Sequence, residues 1–207
     1  MKNFCSNSLK SVLLLLISLS SARGVDFNSY FQGSISPYIT YESNYSRILG
    51  QPVQFNGYGL GLEWESGISL GLTFYQLGTN FITREFSPRN ELWQMDVSYL
   101  SFMIAYEFLS NEKFLLVAEL GNGFGNTNFS SLNVQKSRYS LFTFEPTLHG
   151  RYYILKWLGL ASQLGYRMAF PAGAPTIGQM SSFKFDIGVT IAPLELYEAY
   201  INNTLLD

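Results

Sequence analysis

The sequence predicts an all-β protein in which eight antiparallel strands close into an up-and-down transmembrane barrel with a polar lumen. Three observations support this prediction. Apolar residues alternate with polar or small residues in eight separate runs, the period of a strand with two different faces. The longest mainly apolar run, residues 12–19, is far shorter than the roughly 20 residues of a membrane-spanning helix. The connections between the runs alternate between short and long, as in membrane barrels.

The composition excludes several other classes of protein. The chain has 207 residues, of which 13 are Lys or Arg and 15 are Asp or Glu. Charged residues make up 14% of it, whereas a soluble domain usually has about 25%. Aromatic residues make up 16%, which is too many for a disordered chain. The formal net charge of −2 argues against nucleic acid as a partner.

Residues 1–22 have the pattern of a cleaved secretory signal peptide. Lys2 and Lys10 precede the apolar run, and the small residues Ser20, Ser21 and Ala22 follow it. The alternative is a buried helix at the N-terminus. Cleavage after Ala22 would remove Cys5, the only cysteine, and would leave an exported chain without disulfides. With one histidine and no cysteine in the mature chain, no metal and no cofactor is predicted.

The eight alternating runs define the predicted strands. They cover residues 31–41, 56–64, 68–75, 100–108, 114–121, 142–152, 158–170 and 183–191. Residues 93–99 alternate in the opposite phase to the run that follows them, which predicts either a bulge near Tyr99 or a strand that extends beyond the bilayer.

The connections predict which end of the barrel faces which compartment. The short ones are residues 65–67, 109–112 and 154–157, and the long polar ones are 42–56, 76–92, 126–137 and 171–182. Bacterial outer-membrane barrels have short turns on the periplasmic side and longer loops outside. Pro193 should end the last strand, because proline cannot donate to a ladder. The domains predicted are therefore the signal peptide 1–22, a barrel over 23–192, and a periplasmic tail over 193–207 with helix-like apolar spacing.

Alternation alone does not decide which face of the barrel is inside, because a soluble lipocalin-like barrel has the same period. The polar faces carry too few charges to coat a soluble barrel, but their mixed signs and interleaved glycines suit a narrow lumen. The predicted lumen charge network is Glu63, Glu107, Glu119, Glu145, His149, Arg151, Arg167, Lys184 and Asp186. The apolar faces carry aromatics near strand ends, typical of a girdle at the membrane interfaces. These are Tyr58, Trp64, Phe74, Tyr106, Phe108, Tyr152, Tyr166 and Phe170.

With these residues in place, residues 27–192 resemble the eight-stranded outer-membrane barrels of the OmpA/OmpX type. The resemblance is architectural and has no signature motif. It implies the bacterial outer membrane as the location. Such barrels commonly end in an aromatic residue, whereas the last strand predicted here ends at Ile191.

The function predicted is a structural, surface-interaction or adhesion role through four long extracellular loops, with the lumen plugged by charges. We expect outer-membrane lipid to surround the barrel and a surface ligand or envelope component to be its partner. The protein is expected to be a monomer. Loop residues proposed as contacts are Tyr45, Arg47, Arg84, Arg89, Phe129 and Arg138.

Two alternatives to a structural or adhesive role remain, a small pore and a lipid-modifying enzyme. An enzyme is not expected, because His149 is the only histidine and shares the lumen face with Glu145 and Arg151.

Overall fold

The structure is a computed structural model that describes residues 31, 33–83, 93–111, 113–131, 136–172, 180–202, 204 and 205. The predicted signal peptide, with Cys5 and the cleavage point after Ala22, lies outside the described residues. No helix in the described part of the chain is long and apolar enough to cross a membrane.

A ring of antiparallel strands forms the molecule, which confirms the predicted fold class. The strands are β1 (Ile35–Ile48), β2 (Gln51–Trp64), β3 (Ile68–Leu77), β4 (Phe81–Thr83), β5 (Trp93–Ser110), β6 (Phe114–Ser131), β7 (Lys136–Leu155), β8 (Leu158–Ala172) and β9 (Ser182–Ile191). Strands that follow each other in the chain pair, except that β3 and the short β4 both pair with β5 and not with each other, and β9 pairs with β1. The ring therefore has eight strand positions, one of which is occupied by β3 and β4 together.

The register shows how strongly the strands are staggered. A row of paired residues starts at Ser36 and passes through Glu63, Ser69, Ala105, Glu119, Thr147, Gly165 and Lys184. Lys184 lies one residue beyond the pair of Tyr45 and Phe185, so the row returns to β1 at Ser46, ten residues from its start. Strand number and stagger together set the width of a barrel, and eight strands leave an interior that side chains can fill.

Along the barrel axis, the apolar residues change from the outer face of the strands to the inner face. We call the end where β1 begins and β9 ends the terminal end, and the opposite end the distal end. In β5, the inward-facing Ser101 is polar and buried. The outward-facing residues of the same stretch are apolar or aromatic and exposed, namely Leu100, Phe102, Ile104, Tyr106 and Phe108. Towards the distal end the pattern inverts, because Met95 and Val97 point inward and are buried whereas Gln94 and Asp96 point outward. The distal part of the barrel is thus built like a soluble protein and the rest like a membrane protein.

The inversion explains the change of phase before Tyr99. β5 runs unbroken through Tyr99 in one register with β6, and its bulge lies between Glu107 and Leu109 instead. The predicted bulge near Tyr99 was wrong, and the strand extension given as the alternative is what the structure shows. A strand of 18 residues, against about 9–11 needed to cross a membrane, has room for both environments.

The predicted long connections are shorter than expected at this distal end. Most of residues 42–56 belongs to β1 and β2, which are joined only by Leu49 and Gly50. Both have positive φ, 51° and 74°, as hairpin turns of two residues require. Sequence reasoning missed this turn because leucine is rare at positive φ. β4 lies within 76–92, and β6 and β7 extend into 126–137, so the remaining loop segments 84–92, 132–135 and 173–179 lie outside the described residues.

At the terminal end the chain passes from the last strand into a short helix. β9 ends at Ile191, and a helix spans Pro193–Ile201, with proline in its first turn. Beyond the helix, the Trp157 indole Nε1 donates a hydrogen bond of 3.0 Å to the carbonyl oxygen of Leu205. The tail is therefore held against the turn between β7 and β8.

Glycines on the inner wall make room for large lumen side chains. A Cβ atom built on Gly61 would collide with the Tyr38 ring and would lie 2.6 Å from the Leu70 carbonyl oxygen. At Gly150, on the outer wall, the nearest atom to such a Cβ is 3.7 Å away, on the Phe114 ring. The lumen glycines are thus required by close packing.

We predict that Gly61→Ala lowers the free energy of unfolding by about 1–3 kcal/mol, the usual cost of overpacking. The matched variant Gly150→Ala should leave it unchanged within about 0.5 kcal/mol. Urea unfolding of the refolded protein in detergent micelles, followed by gel mobility, measures both. Equal stability of the two variants would show that the Tyr38 side chain yields without cost.

Candidate functional site: the barrel lumen

Buried ion pairs connect three strands at the centre of the lumen. Glu145 of β7 accepts a hydrogen bond of 3.0 Å from Arg167 Nε on β8, and its second oxygen lies 2.9 Å from Lys184 Nζ on β9. Lys184 also lies 3.3 Å from Asp186. Lys184, 2% exposed, and the other three are enclosed, so each charge depends on its neighbours for the interactions that water would otherwise provide.

The register places the central pair side by side. Glu145 and Arg167 lie opposite each other between the paired residues Phe144 with Met168 and Thr147 with Gly165. Inward-facing residues directly opposite on neighbouring strands are in contact range. Arg167 also donates a 3.2 Å hydrogen bond to the Ser46 hydroxyl, which ties β8 to β1 across the lumen.

Glu42 is a lumen residue that sequence reasoning missed. It was assigned to the loop 42–56, but it lies on β1 and is buried. The Tyr75 hydroxyl donates a hydrogen bond of 2.5 Å to one of its oxygens, and Gln163 Nε2 donates one of 3.1 Å to the other. Continuing the alternation of Tyr38 and Thr40 by one further step would have placed Glu42 inside.

Two further pairs lie towards the terminal end. Arg151 Nη1 donates a hydrogen bond of 2.8 Å to Glu63, and this pair joins β7 to β2. His149 Nδ1 lies 3.8 Å from Glu119, which also accepts a 3.2 Å hydrogen bond from the Thr147 hydroxyl. The histidine is 3% exposed, so its ring is shielded from lipid.

Aromatic rings form cation–π contacts with the buried arginines of the lumen. The Arg167 guanidinium lies 4.5 Å from the centre of the Phe55 ring and 5.4 Å from that of Tyr99. The Arg151 guanidinium lies 4.8 Å from the Tyr38 ring centre. Such cation–π contacts are stronger where water is excluded. Arg167 thus stands at the boundary between the charged cluster and the apolar residues above it.

Above Arg167, the distal lumen is filled by apolar side chains, which we call the distal plug. Its buried members are Ile48, Val53, Phe55, Tyr75, Leu77, Phe81, Trp93, Met95, Val97, Tyr99, Phe129, Leu141, Ala169 and Met180. Tyr75 and Tyr99 stack in it with ring centres 4.9 Å apart. Phe129, predicted as a loop contact, is one of these residues. The polar lumen predicted from the sequence is therefore limited to the central and terminal parts.

Several enclosed polar atoms lack a hydrogen-bond partner within the described residues. They include both amide atoms of Asn44, Nε2 of His149, Oε1 of Gln163, Nη2 of Arg167 and Oγ1 of Thr143. Native proteins usually satisfy such groups with ordered water. Most of these atoms lie next to the ion pairs, so the charged part of the lumen is expected to be hydrated. The distal plug contains two further atoms of this kind, Nε1 of Trp93 and the hydroxyl oxygen of Tyr99.

The structure places the predicted site residues as follows. Eight of the nine predicted network residues lie in the pairs above, as Glu63, Glu119, Glu145, His149, Arg151, Arg167, Lys184 and Asp186. Glu107 does not join them, because the bulge beside it leaves it half-buried at the terminal mouth. The predicted girdle residues Tyr58, Phe74, Tyr106, Phe108, Tyr152 and Phe170 are exposed on the outer wall, and Trp64 and Tyr166 are half-buried.

The predicted loop contacts Tyr45, Arg47 and Arg138 lie on strands with exposed side chains, and Arg84 and Arg89 lie outside the described residues. Among the described residues, no group of three or more His, Cys, Asp or Glu side chains is arranged to hold a metal ion.

The fold is that of the eight-stranded outer-membrane barrels, as the resemblance implied. Neisserial surface protein A has a TM-score of 0.55 and 9% identity over 76% of this chain and 96% of its own. The N-terminal barrel of Pseudomonas aeruginosa OprF has a TM-score of 0.52 and 10% identity over 76% and 98%. Ail of Yersinia pestis has a TM-score of 0.51 and 16% identity over 77% and 98%. No family model and no curated protein matches the chain.

We predict that Glu145→Gln destabilises the protein by about 3–5 kcal/mol, because Arg167 and Lys184 would lose their shared carboxylate in a buried site. Glu107→Gln, at the half-buried mouth, should cost less than about 0.5 kcal/mol. Urea unfolding of the two variants in micelles provides the comparison. If both variants unfold at the wild-type urea concentration, the central ion pairs contribute nothing to stability.

Proposed function

We propose that this protein is a bacterial outer-membrane barrel with a closed lumen that acts through its cell-surface end, as a structural or adhesive protein. The inversion of hydrophobicity along the strands carries the proposal. The distal part of the barrel has a mainly apolar interior and a polar exterior, which is the arrangement expected of a part that projects from the bilayer into water. The ring fold shared with outer-membrane barrels supports the location.

The apolar outer wall supports a position in the membrane. Exposed large apolar residues surround the barrel, including Leu60, Leu72, Phe102, Ile104, Leu120, Leu148, Leu160 and Ile187. Exposed apolar area of this extent on a soluble protein would promote association. Outer-membrane barrels have short turns on the periplasmic side, and the short turns 65–67 and 156–157 lie at the terminal end. On this proposal the terminal end lies in the periplasm and the distal end at the cell exterior.

The distal plug supports a closed lumen. Its buried aromatic and aliphatic side chains fill the barrel from several strands, and an apolar constriction of this kind excludes ions by dewetting. The charged network beneath it would then stabilise the ring and would not conduct.

The surroundings of His149 argue against catalysis. Its ring contacts Glu119 and Gln163 inside the barrel, and neither residue offers the hydroxyl or thiol nucleophile of a Ser/His-type lipid hydrolase. A lipid-modifying enzyme would need its catalytic groups within reach of lipid, whereas this histidine is enclosed.

The exterior of the projecting part provides the contact surface. Outward-facing polar residues replace the apolar band there, among them Gln76, Gln94, Asp96, Asn128, Arg138 and Ser140. Arg47 extends from β1 beside the turn of Leu49 and Gly50, and Arg138 Nε donates a 2.9 Å hydrogen bond to Asn126. A rigid platform of paired strands is a suitable base for binding loops.

In planar bilayers the purified protein should show no steady unitary conductance, and Arg167→Ala should remain closed because the distal plug lies above the substituted side chain. A porin reconstituted in the same lipid serves as the positive control. Regular conductance steps in the wild type that disappear in Arg167→Ala would instead identify a pore.

Mass spectrometry of lipid A from cells with and without the protein tests the enzymatic alternative, and we expect identical acyl patterns.

The adhesive role is tested with cells that display the full chain. One solved Ail structure contains the heparin analogue sucrose octasulfate, so immobilised heparin is a reasonable first probe. We expect higher retention than for cells with an empty vector. The double substitution Arg47→Ser and Arg138→Ser should reduce it, whereas Lys156→Ser at the opposite end should not. Unchanged retention, together with unchanged detergent sensitivity of cells lacking the protein, would contradict both surface roles.

A further inference from the structure

A cleft of about 450 Å³ opens at the terminal end of the barrel, between the strand ends and the C-terminal helix. Its size is within the range of small-molecule sites. Four glutamates, Glu63, Glu65, Glu107 and Glu195, line it against one lysine, Lys156. Even with Arg151 paired to Glu63 behind the wall, negative charge dominates the cleft. The cleft therefore attracts cations.

Two oxygen atoms of the cleft residues are enclosed and lack hydrogen-bond partners. Thr190 is 1% exposed, and its Oγ1 has no partner in the described part of the chain. Oε2 of Glu195, on the helix, is enclosed and likewise has none among those residues. An unsatisfied buried acceptor has a free-energy cost, which is larger when the acceptor carries charge. A ligand that brings hydrogen-bond donors would remove this cost.

The rest of the lining indicates an organic cation. The described residues hold no cluster of three metal-ligating side chains, and the cleft is much larger than a metal ion needs. Its lining includes the aromatic residues Trp64 and Tyr153, which can contact a cation or its apolar chain, whereas the Tyr38 ring in the same wall is already in contact with Arg151. A primary ammonium group offers three donors and a positive charge in one small head.

We infer that this terminal cleft binds a primary alkylammonium ligand, with the ammonium group between Glu195 and Thr190 and the alkyl chain along the aromatic wall. The head group would come from a free diamine or from a lysine-type side chain of a peptide. The inference is independent of the proposed surface role, because the cleft lies at the opposite end of the barrel and binding is measured on the purified protein.

The test is titration calorimetry of the full chain, refolded in a zwitterionic detergent, with cadaverine as the probe. Glu195→Gln preserves the shape and removes the charge, and it should weaken binding at least tenfold. Thr190→Val should weaken it several-fold. Glu198→Gln, on the exposed face of the same helix, is the matched control and should bind within twofold of wild type. Heat-modifiable gel mobility checks that every variant folds. If Glu195→Gln does not fold, Thr190→Val serves as the main variant.

Controls on the ligand define its chemistry. 1,5-Pentanediol has the length of cadaverine without its charges and should not bind, and Mg²⁺ should not compete. A peptide with one lysine and blocked termini, set against cadaverine, distinguishes the two sources of the ammonium group. The inference is overturned if cadaverine shows no saturable binding, if Glu198→Gln weakens binding as much as Glu195→Gln, or if Mg²⁺ or the diol binds as tightly.

Discussion

Closure of the sheet is the constraint on which the rest of this structure depends. Once strands at eight positions pair in a ring, every strand residue points either to the lumen or to the outside. The stagger of ten residues then fixes which inward-facing residues of different strands lie close together. The chain can respond to a change of surroundings along the axis only by changing which face is apolar. It does so in β5, where Val97 and Leu100 are both apolar, but Val97 points into the lumen and Leu100 points to the outside.

The two parts of the lumen stabilise the ring by different interactions. In the centre, Glu145, Arg167 and Lys184 connect neighbouring strands, and the Ser46 hydroxyl connects Arg167 to β1. Glu42 of β1 forms separate hydrogen bonds with Tyr75 and Gln163. Buried pairs of this kind contribute little net stability compared with apolar packing, but removing one member is costly. The distal plug provides the apolar packing. Because the plug lies directly above Arg167, the charged region is shielded from solvent at the distal end.

Much of the fold and part of the lumen could be predicted because a strand has a period of two. Glu145, Arg167 and Lys184 stand on the polar face of clear alternating runs, and the structure brings them together. Glu42 was missed because it lies where the polar neighbours Ser43 and Asn44 give β1 the composition of a loop. Glu107 was included because its run alternates well, but the bulge beside it is not visible in the alternation.

The sequence by itself determined that the chain forms strands, where the eight long ones lie, and which of their residues share a face, because these properties depend on local alternation. The short β4, within a predicted loop, was not among them. Tertiary structure alone decided which inward-facing residues meet, since ring closure and stagger bring together side chains that are far apart in the chain. It also decided where β1 and β2 turn and that Trp93, Met95 and Val97, before Tyr99, fill the lumen. Those outcomes depend on the space inside the ring, and local alternation contains no information about that space.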